Sequence, residues 1–310
     1  MSERITIPKT DLEVSQLCLG GNVFGWTADE PTSKLILSEF AALGGNFVDT
    51  ADTYSEWKAG NSGGESETVI GKWMKETGNR DQMIIASKVA MYSKRPGLGA
   101  ENIRAAVEDS LRRLQTDYLD LYYAHKDDPD TPLNETLRAF DDLIRSGKVR
   151  YITASNYSGE RLLEALKISK ENGFASYVAL QNEYNILVRQ PFESDMAPTL
   201  EAQGLSAIPF YGLARGFLSG KYRPGIKVDS VRAQGTEMFQ NEQGWRVLAL
   251  LDELASAHSA PVPAIALAWL RAQESVSVPI ASARTLEQLR EITKVVSLAP
   301  DEIDQINRAL

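Results

Sequence analysis

The chain is short of several residues on which common kinds of site depend. Among its 310 residues there is one cysteine, Cys18. It can form no internal disulfide and no cysteine-based zinc cluster. Set between Leu17 and Leu19, it reads as a buried bystander. There are two histidines, His125 and His258, too few for a multi-histidine metal site, and no metal is expected. His258, in Ala257-His258-Ser259-Ala260-Pro261, reads as a surface or capping residue. The glycines never fall as G-x-G-x-x-G or G-x-x-x-x-G-K-[ST], so the Rossmann and P-loop routes to a nucleotide are missing. There is no G-x-S-x-G nucleophile elbow either.

No stretch approaches the roughly 18 uninterrupted apolar residues of a membrane span. The N-terminal stretch mixes charge with apolar side chains and has no signal-peptide core, so a cytoplasmic protein with no membrane partner is expected. Positive charge is scarce: 33 Lys and Arg stand against 42 Asp and Glu, a net charge of −9. That balance argues against a protein held to nucleic acid by bulk charge. It leaves room for an anionic ligand, because one site needs only a few local cations.

What is present is ordinary in amount and regular in order. Hydrophobic residues make up 43% and charged residues 24%, the composition of a globular chain. At this length no staples are needed to hold a core. No low-complexity tract or linker marks a domain boundary, and one domain over 1–310 is expected. Short apolar runs recur at 45–49, 83–87, 118–124, 149–154, 177–181, 205–210 and 276–280, with a shorter one at 17–19. Several are nearly continuously apolar, as parallel strands buried on both faces are. Amphipathic stretches fill most of the gaps. Ile103, Val107, Leu111 and Leu114 share one helical face, as do Leu133, Leu137, Phe140 and Ile144, with Gly147 as a stop. Further helices are expected at 34–43, 67–75, 160–170, 243–258, 264–271, 286–295 and 301–310. Eight alternations favour an α/β fold of the (β/α)8 TIM-barrel type over an open doubly wound sheet. The stretch 212–240, rich in Gly, Arg and Pro, is too long for a plain connector and reads as functional.

In a parallel barrel the chemistry sits where strands end. Asp49 and Tyr54 follow the second run, Lys88 the third and His125 the fourth. A phenol with an ordinary pKa near 10 is a poor acid at neutral pH, and a nearby ammonium is expected to lower that pKa. A carboxylate would hold the lysine charged, and a histidine can donate to a carbonyl oxygen. Such a pocket can protonate an oxygen as negative charge develops on it, with Tyr54 as the acid. Taken singly, each residue also has a plain reading: a solvated lysine, an Asx loop cap, an aromatic lid.

At these residues the chain resembles the aldo-keto reductases. Asn46-Phe47-Val48-Asp49-Thr50-Ala51-Asp52-Thr53-Tyr54 is similar to the family's first signature, and Gly64-Glu65-Ser66-Glu67 with Gly71 to its continuation. The segment 110–121, which leads to His125, and Gly147-Lys148-Val149-Arg150-Tyr151-Ile152 before Ser155-Asn156 are similar too. The resemblance implies a barrel with an N-terminal β-hairpin and extra C-terminal helices. It implies a catalytic tetrad of Asp49, Tyr54, Lys88 and His125, and NADPH or NADP+ bound across the barrel mouth. Ser155, Asn156 and Gln181 would bind the carboxamide, and Phe210 or Tyr211 would stack on the nicotinamide. Gly212, Leu213, Arg215, Gly216 and Lys221 would wrap the pyrophosphate. Ser282, Arg284 and Gln288 would hold the adenosine end, Arg284 as the partner of a 2′-phosphate, since a guanidinium matches phosphate geometry.

There are departures from the family pattern. Gly212 stands where many relatives have proline, Ser282 where glycine is common, and Ile292 where asparagine is frequent. His125 is followed by Lys126-Asp127-Asp128, a less usual combination, and the loop after Tyr54 is long. Phe24, Trp26, Trp57 and Tyr92 either wall the substrate pocket or pack against their own loops. The resemblance implies an oxidoreductase that reduces a small aldehyde or ketone, sugar-derived ones included. The rivals are the reverse reaction, oxidation of a sugar or alcohol with NAD(P)+, and a nucleotide-sensing regulatory subunit, as potassium-channel β-subunits on this scaffold are.

Overall fold

The computed structural model describes residues 3–231 and 233–310. An antiparallel hairpin, β1 (Arg4–Thr6) and β2 (Glu13–Ser15), comes first. Eight parallel strands follow: β3 (Cys18–Gly20), β4 (Phe47–Asp49), β5 (Ile84–Val89), β6 (Leu119–Ala124), β7 (Val149–Ser155), β8 (Ala179–Gln181), β9 (Ser206–Ala207) and β10 (Ile280–Ala281). They are hydrogen-bonded in the order β10, β3, β4, β5, β6, β7, β8, β9. Three backbone bonds join the two ends into a cylinder: Ala207 N–H to Ser275 O, Ser277 N–H to Ala207 O and Ile280 N–H to Pro209 O, at 2.7, 2.9 and 2.9 Å. Helices alternate with the strands: α1 (Glu30–Ala42), α2 (Glu65–Thr77), α3 (Ala100–Leu114), α4 (Leu133–Arg145), α5 (Gly159–Asn172), α6 (Ala197–Gln203), α7 (Glu242–Ala257), α8 (Val262–Arg271), α9 (Leu286–Ile292) and α10 (Pro300–Arg308). The fold is the expected α/β barrel with its hairpin. Among the described residues, no helix is long and apolar enough to cross a membrane.

Two expected strands are much shorter than their apolar runs. The run 205–210 yields two strand residues, and 276–280 contributes only its last residue to β10. Each run contains a proline, Pro209 or Pro279, which has no N–H to give to the ladder. Helix α6 falls where no helix is expected from the sequence. It is short, carries Pro198 near its start and follows a π-turn at Phe192–Met196. Helix α9 stops at Ile292, short of the expected 286–295.

The strand period of two sorts the core into two layers. Phe47, Ile84, Ala86, Leu121, Tyr123, Ala179, Ile208 and Ile280 fill the barrel interior, and Ile7, Leu12 and Val14 from the hairpin segment pack into the same cluster. Val48, Ile85, Tyr122, Ile152 and Leu180 point outward and meet Phe40, Trp73, Val107, Leu137 and Leu162 of the helices. Each such fully buried large side chain stabilises the fold by roughly 1.5–3 kcal/mol relative to exposure. Helix α2 approaches α3 so closely at Gly71 that a Cβ there would lie 2.2 Å from the Arg113 carbonyl oxygen.

Candidate active site

The strand period also builds the mouth. Two positions beyond an inward-facing core residue, the next inward residue emerges at the strand's C-terminal end. Asp49 thus follows Phe47, Lys88 follows Ala86, His125 follows Tyr123, Gln181 follows Ala179, Phe210 follows Ile208 and Ser282 follows Ile280.

Four of the expected residues meet at one end of this ring. Lys88 Nζ donates to Asp49 Oδ2 at 2.5 Å, to the Thr50 carbonyl at 2.9 Å and to the Tyr54 oxygen at 3.0 Å. The Tyr54 hydroxyl donates to the same Asp49 Oδ2 at 3.3 Å. Lys88 is 0% exposed and Asp49 2%. The His125 ring lies 5.9 Å from the Tyr54 ring, and its Nδ1 is buried without a hydrogen bond. Burial, reinforced by the charges of Lys88 and Lys126, pushes the imidazole well below its ordinary pKa, so it is neutral. Burial also lowers the Lys88 ammonium, against the pull of Asp49.

The neighbouring Lys88 does not bring the phenol below its ordinary pKa. Burial, then the negative charge of Asp49, raise Tyr54 well above the ordinary value. The ammonium already sits on Asp49 at 2.5 Å, so the phenol meets a matched ion pair rather than a bare cation. In this resting state Tyr54 holds its proton firmly.

A cavity of about 430 Å³ opens over Asp49, Tyr54 and His125, with Lys88 buried beneath it. It is lined by Tyr54, Trp57, Met91, His125 and Tyr211 and by Ser155, Asn156, Gln181, Phe210, Gly212 and Leu213. Arg215, Gly216 and Ser282 also line it. The last three continue into a cleft of about 360 Å³ that holds Lys221, Arg284 and Gln288. All the residues expected at a dinucleotide therefore share one groove. Arg284 makes no ion pair among the described residues, and its N–H donates to the Gln288 side chain at the start of α9. Arg215 is held at φ 58 beside Gly216 at φ 102, with its guanidinium over the Tyr211 ring and 3.3 Å from Glu183. Its Nε is buried without a partner, and a Cβ at Gly216 would meet nothing within 4 Å. An unsatisfied buried cationic donor beside open backbone suits the pyrophosphate of a nicotinamide dinucleotide.

The expected substrate wall needs correcting. Trp57 lines the cavity, but Trp26 stands behind it, edge-on at 5.6 Å. Phe24 is fully buried, its carbonyl accepting from Ser55. Tyr92 faces away into a separate cleft of about 610 Å³, against Gly63. One position earlier Met91 faces the cavity, because Ala90 turns the chain at φ 114. In the separate cleft Arg95 and Arg112 pair with Asp109, and Arg113 pairs with Glu67.

Behind the lysine strand lies a buried polar layer that the sequence does not announce. Glu67, 0% exposed, accepts from Ser87 Oγ and from Arg113 Nε. Asp52 gives its N–H to the Lys88 carbonyl, and its Oδ1 is buried without a partner. Burial and the neighbouring Glu67 push the Asp52 carboxyl up to about 8.

Comparison with known proteins agrees with this architecture. The sequence profile of the Aldo/keto reductase family matches residues 16–310. An uncharacterized oxidoreductase of Bacillus subtilis, YrpG, is 34% identical over 95% of this chain and 91% of its own. Norsolorinic acid reductase A of Aspergillus parasiticus is 30% identical over 99% of this chain and 80% of its own. An aryl-alcohol dehydrogenase of Pestalotiopsis microspora is 28% identical over 98% and 81%. The profile, the relatives and the barrel agree: the chain belongs to the aldo/keto reductase family of nicotinamide-dependent oxidoreductases.

Proposed function

We propose that this oxidoreductase reduces an uncharged aromatic aldehyde or ketone with NADPH, with Tyr54 as the general acid. The observation that carries the reading is the Asp49–Lys88–Tyr54 contact at the floor of a cavity walled by Trp57, Met91 and Tyr211. These three side chains are 50%, 45% and 38% exposed, a concentration of uncovered apolar surface at one mouth that suits an apolar, flat ligand. Among the described residues, Asp49 and Arg215 are the charged side chains that line the cavity, and Arg215 pairs with Glu183 and reaches into the adjoining cleft assigned to the pyrophosphate, so this reading leaves no cation for a substrate carboxylate or phosphate. The name of the aryl-alcohol dehydrogenase relative points the same way.

Each residue then has a task. Ser155, Asn156 and Gln181 would hold the carboxamide of a bound NADPH, Phe210 or Tyr211 would cover its ring, and Arg215 and Lys221 would meet its pyrophosphate. Arg284 would meet the 2′-phosphate, as a planar guanidinium does best. The cofactor would supply the hydride that the carbonyl carbon receives. Neutral His125 orients the carbonyl oxygen with a ring N–H. As that oxygen gains charge, the Tyr54 proton passes to it, and Lys88 stabilises the phenolate left behind. The raised resting pKa of Tyr54 keeps the acid loaded; the ammonium counts most in the transition state, when the phenol oxygen turns negative.

The test is NADPH oxidation over a panel of aromatic, aliphatic and sugar carbonyls. Aromatic compounds are expected to lead in kcat/KM. In Tyr54→Phe, kcat is expected to fall by about 10²–10⁴-fold with NADPH affinity kept. Wild-type rates in the Phe variant would remove Tyr54 as the acid, and a sugar-led ranking would remove the aromatic assignment.

A further inference from the structure

Gln181 touches both halves of the site. Its side chain is buried, and its Nε2 donates to Asp49 Oδ1 at 3.0 Å. The other carboxylate oxygen, Oδ2, takes Lys88 and Tyr54. Gln181 is thus the donor found on Oδ1 among the described residues. Its backbone carbonyl accepts from Ser155 Oγ at 2.8 Å and from the Asn156 N–H at 3.1 Å. Asn156, held at φ 56, donates from Nδ2 to the His125 carbonyl at 2.8 Å. The three residues assigned to the carboxamide therefore form one bonded cluster, tied to Asp49 through Gln181 and to the His125 backbone through Asn156.

We propose that Gln181 is a positioning residue that sets the acidity of Tyr54 through Asp49 and so couples nicotinamide binding to proton delivery. The proposal rests on the reductase reading above. A buried carboxylate that accepts a hydrogen bond is stabilised in its charged form, and its charge is spread over both oxygens. Take the Oδ1 donor away and the charge concentrates on Oδ2, the oxygen that Tyr54 faces. The phenol then holds its proton more tightly, becomes a weaker acid and transfers more slowly. An amide side chain has two N–H groups and one carbonyl, so Asp49 uses only part of its capacity. The same side chain can meet a carboxamide while it holds the carboxylate. Engagement by the ligand shifts that amide and, with it, the charge that Tyr54 faces.

Two variants separate this from a role in cofactor contact alone. Gln181→Met keeps the length and removes the donor; Gln181→Glu keeps the shape and replaces the donor by an acceptor. Each is assayed at saturating NADPH with benzaldehyde across pH, beside a fluorescence titration of NADPH binding. At saturating NADPH, Gln181→Met is expected to lose about tenfold in kcat, with the alkaline limb of its pH profile moved up by about half a unit or more. Gln181→Glu is expected to lose more. In the double variant with Asp49→Asn, kcat is expected to equal that of Asp49→Asn alone, while the loss of NADPH affinity from Gln181→Met persists. An unchanged kcat and pH profile in a folded Gln181 variant, with weaker NADPH binding only, would overturn the proposal. If the wild type binds NADPH but reduces no carbonyl, the reductase reading falls and the coupling is read from binding. A pH dependence of NADPH affinity lost in Gln181→Met upholds it; the same dependence in both overturns it.

Discussion

The two halves of the barrel mouth are built on opposite plans. On the β4–β5 side the charges are sealed in: Lys88 and Asp49 are buried, their hydrogen bonds pass from one side chain to the next, and regular strands hold them. On the β9–β10 side the strands are two residues long, the backbone turns through positive φ at Tyr211, Ala214, Arg215 and Gly216, and Arg215 stays partly exposed. A group that must give up a proton on demand needs a fixed, low-dielectric surround. A surface that must admit and release a long anion needs donors already near water and a chain that bends. The first plan makes each charge strongly dependent on its neighbour. The second leaves Arg215 only half-buried in its pair with Glu183, and Arg284 without an ion pair among the described residues.

That contrast can be broken most forcefully at Lys88. Lys88→Met strands a buried carboxylate, and urea unfolding is expected to show a loss of about 3–5 kcal/mol together with near-complete loss of turnover. Adding Asp49→Leu should return much of the stability and none of the activity. If Lys88→Met left stability within about 0.5 kcal/mol, the sealed half would be no more interdependent than the open one.

The next effect lies just outside the mouth, at Asp52. Its folded pKa is raised to about 8 from an ordinary 3.8, so the folded state binds the proton more tightly than the unfolded chain. Its contribution to stability is therefore full below about pH 4, falls as pH rises towards 8, and is flat above that. Asp52→Asn removes this loss. Unfolding measured from pH 4 to 9 should show the variant gaining on the wild type with rising pH, by an amount on the order of 3–5 kcal/mol. A constant difference across that range would mean that Asp52 does not titrate there.

The smallest expected effect belongs to the open half. Arg284→Ala should weaken NADPH binding by about tenfold, leave NADH binding unchanged, and move unfolding free energy by no more than about 0.5 kcal/mol. Equal losses for both cofactors would assign Arg284 to something other than the 2′-phosphate.

The same division governs what could be read from the sequence. The β4, β5, β6 and β8 ends were legible because an apolar run with a period of two points straight at Asp49, Lys88, His125 and Gln181. Helices α3 and α4 were legible from their apolar stripes. Helix α6 was not, because it is short, follows Pro191 and carries Pro198 in its first turn. Met91 was missed in favour of Tyr92 because which of two neighbours faces inward depends on the positive φ at Ala90. The ion pair of Arg215 with Glu183 joins residues distant in sequence and follows from no local pattern. The direction of the Tyr54 shift was misjudged for a different reason. The residue types were right, but the sign is set first by how completely the phenol is buried and then by the Asp49 charge beside it, and no spacing along the chain records either.

A cylinder made from a sheet has a seam, and here the seam is the backbone contact between β9 and the segment entering β10. With a proline on each flank it rests on three backbone hydrogen bonds. Phe210 stands on one lip and Ser282 on the other, so a ligand laid across the open half of the mouth also bridges the join. A ligand that fills that groove would therefore also tie together the two edges of the sheet.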